Sequence, residues 1–425
     1  MSNYILSRAT SQARRLTRHR LTRNIGWLTG AEMVSRIGRI FAAVILARQL
    51  DATAFGVAAI AITVFEIVRV FTENGIGAAV VRAGKTEFDK VANTAHRLMW
   101  LVCIGLAAVQ LMIGICLEAL LPGRGAGAMV AMLSVVFLVM PFGLLHAYCL
   151  QRDERMKHLA AVGSAQAVAD HVLTAILALC GFGAWAIVLP KVLTVPIWLL
   201  GVRHNSPWMR NTEAGFAPAG ALLKFSMPVL GAELLSAFRD QLDKLIVSLV
   251  LGIEALGLYY FAFNAGLGAS TALNRAFSNA VYPNLCAAAD KLRAFRKAVL
   301  GLGLPLSLAY CVQAAAALVY VPVVFGADWA PAAPLVALLC LGGPARLLVD
   351  GARMHARAEG RSGQEFRIAL GLSASVLAPF ALAAPLGLLS AAAASVIGAS
   401  AYAMAVTLWR ARPGLETHAK YEAAS

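Results

Sequence analysis

The stretch GAEMVS at residues 30–35 returns as GAELLS at residues 231–236, an offset of 201 (231 less 30). The same offset carries on without a gap: Leu50 meets Leu251, Ala54 meets Ala255, Phe55 meets Leu256 and Gly56 meets Gly257. Self-similarity at about half the chain length is the mark of a duplication. Two copies of one structural unit are therefore expected, with the first helix and its outer turn in matching register.

Hydropathy says what the unit is made of. Of 425 residues, 60% are hydrophobic and only 14% charged, and the mean hydropathy is +0.71, far above that of a water-soluble domain. A spanning helix takes roughly 20 apolar residues. Apolar segments fall near 25–47, 55–81, 98–121, 128–150, 159–181 and 184–202, then near 221–250, 255–282, 298–325, 332–352, 365–384 and 388–409. The expected fold is an all-α integral membrane protein of about twelve transmembrane helices in two six-helix bundles. An even number of spans per copy gives both copies the same orientation, a parallel repeat about an axis along the membrane normal. The domain boundaries follow: a basic arm over 1–23, bundles over 24–202 and 221–409, a linker over 203–220 and a tail over 410–425.

Lys and Arg number 37 against 22 Asp and Glu, a formal charge of +15. In a soluble chain this surplus would suggest nucleic acid. Here 27 cations lie on the side of both termini and two, Arg48 and Arg124, on the other. By the positive-inside rule both termini are cytoplasmic and the surplus is topological, so no nucleic-acid partner is expected. The arm carries Arg8, Arg14, Arg15, Arg18, Arg20 and Arg23 with no apolar h-region or cleavage site. It is expected to lie against anionic head groups rather than to serve as a secretory signal. The seven cysteines have no C-x-x-C spacing and sit mostly in apolar stretches, as buried small hydrophobes do.

No phosphate-binding glycine loop and no H-E-x-x-H motif is present, and outer loops such as 181–184 and 252–255 are very short. No enzyme, cofactor or metal site is expected. The chemistry-bearing residues are charges inside spans, each costing from about 2.5 kcal/mol near the bilayer centre and persisting only beside a partner or water. Glu32, Arg36 and Arg39 share one face of the first helix at i, i+4, i+7, and Glu66, Arg69 and Glu73 follow in the second. The seventh holds Glu233, Arg239, Asp240, Asp243 and Lys244, where Arg239 with Asp243 and Asp240 with Lys244 have ion-pair spacing. The eighth carries Arg275, and the tenth Arg346 and Asp350, again at ion-pair spacing. These charges either pair to hold helices together or line a water-filled cavity. The cation excess favours a cavity that grips an anion, a phosphate or diphosphate, through Arg36, Arg39, Arg69, Arg239, Lys244 and Arg275. Glu32, Glu66, Asp240 and Asp243 are the candidate ion-coupling acids. Asp170-His171 and Lys191 leave two readings open, a proton relay or plain hydrogen bonding.

Ile45-Leu46-Ala47-Arg48-Gln49-Leu50 through Phe55-Gly56, followed by ENGIGAAVVR at 73–82, resembles the N-terminal signature of the bacterial polysaccharide transporter and oligosaccharide flippase family. The second-half copy, Asp243-Lys244-Leu245-Ile246 with LGIEALGLYY at 251–260 and Tyr282-Pro283, is similar to the same family. The resemblance implies the multidrug/oligosaccharidyl-lipid/polysaccharide (MATE-like) superfamily, two bundles in a V that opens alternately to each side. It further implies a substrate of undecaprenyl-diphosphate-linked oligosaccharide, membrane lipids as surroundings, the bacterial inner membrane as location, and polysaccharide polymerase and export machinery as partners. The sequence departs from the family pattern at Asp51-Ala52, where Gly-Pro is common in the outer turn. It also lacks two further helices expected of the related peptidoglycan-precursor flippases. Rival readings are a cation-coupled multidrug exporter, whose cavity would be acidic or apolar, and a non-transporting scaffold in a polysaccharide-assembly complex.

Overall fold

With no water to satisfy the backbone inside a bilayer, an apolar segment must close its hydrogen bonds within itself, which an α-helix does. A computed structural model describes residues 38–410 apart from Asn74, Lys85, Leu121, Glu154, Pro207 and Gly360. Among the described residues there are helices and no strand. All twelve apolar segments fall on helix, the first only from residue 38 onward. Among the described residues eight helical stretches are long and apolar enough to cross a membrane, or nine if one bent pair counts as a single span.

Two compact units emerge, one formed by residues 38–49 and 60–238, the other by 50–59 and 239–410. The first contains α1 (38–49), most of α2 (Ala52–Arg69), α3 (Gly75–Arg82), α4 (Phe88–Leu120), α5 (Ala126–Met132), α6 (Ser134–Val139), α7 (Pro141–Arg152), α8 (Met156–Leu179), α9 (Trp185–Leu193) and α10 (Val195–Asn205). Asp51 departs from the family's turn pattern, yet it starts α2 well: its Oδ1 accepts from the Ala54 amide at 2.8 Å, capping the helix. The run from α5 to α7 bends by 56° at Pro141, where proline has no N–H to donate to the preceding turn. In α4, Met99, Cys103, Ala107, Gln110 and Gly114 are buried, while Leu101, Ile104, Met112 and Ile115 are exposed. Spacings of three and four put the first set on one face, packed inward, and leave the second to lipid.

The polar segment between the copies is docked rather than loose. Asn93, almost fully buried, donates through Nδ2 to the carbonyls of Asn211 (2.6 Å) and Gly215 (3.0 Å). Thr94 Oγ1 donates to the Ala217 carbonyl at 2.8 Å, and the Arg97 guanidinium lies 3.6 Å from the centre of the Phe216 ring. Asn93→Ala removes both donors and leaves two carbonyls without them, at about 1–3 kcal/mol. A lowered thermal midpoint of the purified protein is the expected result, measured beside the exposed-face control Gly105→Ala, where a methyl meets nothing within 4 Å.

The second unit holds α11 (Ala219–Val250) from Arg239 onward, α12 (Ile253–Ala287), α13 (Lys291–Ala298), α14 (Leu304–Tyr320), α15 (Ala333–Ala358), α16 (Ser362–Ala383) and α17 (Leu388–Arg410). Its core gathers Phe277, Phe295, Tyr310, Leu347, Ile368 and Ala399. The first turns of α2 belong here: Phe55 packs edge-on against Trp329 at 5.0 Å, and Trp329 stacks on Phe261 at 4.0 Å. At the far end Arg410, 2% exposed, donates to Glu359 at 2.7 Å and Gln364 at 2.6 Å. Arg361 also pairs with Glu359, and Arg353 and Arg357 with Glu365. This network ties the α15–α16 turn to the end of α17.

Candidate functional site

Within the first unit, α2, α6, α8, α9 and α10 enclose a partly open cavity of about 390 Å³. Its polar wall comes from helical spacing. Gly163, Gln166, Ala167 and Asp170 follow one another along α8 at steps of three, one and three, and all face the cavity. Glu66 and Arg69, three apart on α2, face it from another side, Lys191 enters from α9, and Phe65, Met140 and Trp198 supply apolar surface.

The charges here are paired. Arg69 donates through Nε (3.1 Å) and Nη2 (2.9 Å) to Glu66 Oε2. Lys191 Nζ donates to Asp170 Oδ2 at 2.7 Å, across 21 residues of sequence. Asp170 is 7% exposed, whereas the Lys191 side chain is 37% exposed. The acid is thus the inner member of the pair and the ammonium the outer one. The other carboxylate oxygen, Asp170 Oδ1, is enclosed with no hydrogen-bond partner among the described residues, a rare state for a buried polar atom. His171 Nδ1 stands 3.9 Å from Asp170 Oδ2, and its ring packs beneath Gly38 of α1. Arg39, half-buried, follows Gly38 on that helix.

Among the described lining residues two cations therefore face two carboxylates. The lining is charge-balanced rather than strongly cationic when all four groups are ionised. Such a wall can exchange partners: an anion that displaces Glu66 or Asp170 meets Arg69 and Lys191 already in place.

In the second unit Asp243 and Lys244, both over 90% buried, pair at 3.5 Å. Tyr259 Oη donates to Asp243 Oδ2 at 2.7 Å, and Lys244 Nζ lies 4.4 Å from the centre of the Phe263 ring. Asp350 pairs at 3.1 Å with Arg353 rather than with Arg346. The i, i+4 spacing of Arg346 and Asp350 allowed their pairing, but Arg353 at i+3 is the neighbour that reaches. Glu32 and Arg36 lie outside the described residues, as do the side chains of Glu233, Arg239, Asp240 and Arg275, whose backbones are helical. The sequence reading singled out Asp170-His171 and Lys191 with a relay or plain hydrogen bonding open; that Asp170 pairs directly with Lys191 is read from the structure.

The pattern of the family described as "Polysaccharide biosynthesis protein" matches residues 45–334. The succinoglycan biosynthesis transport protein ExoT of Rhizobium meliloti (strain 1021) is 25% identical over 243 residues, 56% of this chain and 48% of that one. The match thus spans about half of that relative's length. The fold is similar to the inward closed conformation of the lipid II flippase MurJ, with a TM-score of 0.72 at 13% identity, covering 90% of this chain and 87% of that one. It is also similar to an inward-facing multidrug resistance MATE family transporter, with a TM-score of 0.65 at 15% identity, covering 88% and 93%. The fold is thus MATE-like. Because a lipid II flippase and a drug transporter both share it, fold alone does not select the substrate.

Proposed function

The chain belongs to the polysaccharide biosynthesis protein family, and from that premise we propose that it translocates lipid-diphosphate-linked oligosaccharide repeat units across the bacterial inner membrane by alternating access, for surface or exopolysaccharide assembly. Its termini face the cytoplasm, by the loop asymmetry of Lys and Arg. The observation that carries the reading is the first-unit cavity, whose lining sets Arg69 and Lys191 beside the apolar Phe65, Met140 and Trp198; a diphosphate gripped by the two cations would leave its lipid tail to the bilayer. Arg36, Arg39, Arg239, Lys244 and Arg275 remain the other candidate cations. Paired cations and acids make loading an exchange: the diphosphate takes Arg69 and Lys191, while Glu66 and Asp170 accept the coupling cation or proton. Asp170 Oδ1, enclosed without a partner among the described residues, is the atom with unused bonding capacity for it. Glu32, Asp240 and Asp243 remain the other candidate acids.

Asp170→Asn tests the exchange. It leaves the Lys191 ammonium at the cavity without its carboxylate, so a polyprenyl diphosphate is expected to bind the purified protein about tenfold tighter, about 1.4 kcal/mol. Translocation is expected to slow at the same time, since the acid that completes the exchange is gone. Weaker diphosphate binding by this variant at normal folded yield would remove Lys191 from the grip.

A further inference from the structure

We propose that the groove between the end of α12 and α13 is a binding site for the phosphodiester head group of an anionic bilayer phospholipid, separate from the first-unit cavity. The helical stretch Lys291–Phe325 has 35 residues, about 52 Å at the α-helical rise, against a hydrocarbon core of roughly 30 Å. Its excess length is where its charge is. Lys291, Arg293, Arg296 and Lys297 all fall in the eight residues of α13, and residues 298–325 carry no charge. α13 therefore stands at the level of the head groups.

The helix is held by one side and presents the other. Phe295, 1% exposed, stacks on the His355 ring at 4.9 Å, and Lys291 Nζ donates to the Ala358 carbonyl at 2.5 Å. Asp290 caps the helix, its Oδ1 accepting from the Arg293 amide at 2.8 Å. Arg293 and Lys297 are left exposed and line a groove of about 790 Å³ together with Asn284, with Val281 and Leu302 as apolar wall. Asp290 also lines it, so the lining keeps one net positive charge.

The groove borders the wide π-helical turn Val299–Gly303 between α13 and α14, whose Gly301 and Leu302 line it. A methyl at Gly301 would meet nothing within 4 Å. From within the turn onward Leu300, Leu304 and Leu308 are each about two-thirds exposed, an apolar strip leading away from the cationic rim. A cationic rim over an apolar strip at head-group depth fits an anionic lipid, phosphate at Arg293 and Lys297 and acyl chains along the leucines. A soluble phosphate would use the rim alone.

The test is native mass spectrometry of the full chain in detergent, offered phosphatidylglycerol, phosphatidylcholine, a polyprenyl diphosphate or inorganic phosphate. Retention of phosphatidylglycerol over phosphatidylcholine is expected, with a loss of about thirtyfold in Arg293→Gln/Lys297→Gln. Gly301→Leu, which keeps every charge and puts a branched side chain into the groove, is expected to weaken retention of the same lipid. Unchanged phosphatidylglycerol retention in both variants would overturn the site. So would equal retention of inorganic phosphate, which would make it a surface anion patch. Preferential capture of the polyprenyl diphosphate through Arg293 and Lys297 would make the groove part of the substrate path and likewise end the proposal, while leaving the proposed function standing.

Discussion

Gly257→Val is expected to lower the folded yield and thermal midpoint sharply, because two helices cross there with no side chain between them. A Cβ at Gly257 would stand 1.8 Å from the Ala52 carbonyl oxygen and 2.9 Å from the Gly56 amide nitrogen; one at Gly56 would stand 2.0 Å from the Ile253 carbonyl oxygen. All of these neighbours are backbone, so no rotamer change relieves the clash. The first turns of α2 and α12 would have to part, loosening Phe55 from Trp329 and Phe261. Overpacking commonly costs about 1–3 kcal/mol and occasionally more, and a rigid contact belongs at the top of that range. Gly257→Ala already places the offending atom. Gly105→Ala, on the lipid-facing side of α4, is expected to be neutral or slightly stabilising, since it only removes backbone freedom. Equal midpoints for Gly257→Ala and Gly105→Ala would show that the crossing is looser than described. Gly56 and Gly257 are partners in the 201-residue repeat, so one ancestral glycine supplies both sides of the contact.

Arg69→Gln/Lys191→Gln carries the largest expected effect on transport. Hydrogen bonds to charged groups contribute about 1.5–3 kcal/mol each, so losing two weakens capture of a diphosphate by about 10²- to 10⁴-fold. Glutamine keeps part of the volume and a hydrogen-bonding amide, and the Glu66 and Asp170 carboxylates are left without their cations. The thermal midpoint is therefore measured with the binding. A variant that keeps its fold and still binds polyprenyl diphosphate as wild type does would exclude this cavity as the grip. The opposite responses expected of Asp170→Asn and of the double variant separate a lost cation from general damage.

The elements were legible in the sequence because hydropathy is a local property: each of the twelve segments announces itself without reference to the others. Register within a helix was legible for the same reason, as with Glu66 and Arg69, which the structure pairs. Which helices face one another was not. Asp170 and Lys191 sit 21 residues apart on α8 and α9, and nothing in periodicity says that their faces meet. The Arg346 and Asp350 spacing shows the limit of the local rule, since the competing Arg353 lies at i+3 and takes the carboxylate. The repeat placed Gly56 and Gly257 in equivalent positions but could not say that they touch. Docking of 211–217 onto α4 was hidden as well, because Asn93 and Thr94 look like ordinary polar residues near a span end until their carbonyl partners are seen.

The most direct test of the central claim is the sidedness of lipid-diphosphate-linked repeat units, measured together with surface polysaccharide in a strain deleted for this chain and complemented with it. The account predicts that the deletion strands the lipid-linked units on the cytoplasmic face and abolishes surface polymer, and that wild type restores both whereas Arg69→Gln/Lys191→Gln does not. Normal polymer and normal sidedness in the deletion, with altered drug sensitivity instead, would contradict it and make the chain an exporter of another substrate on the same fold.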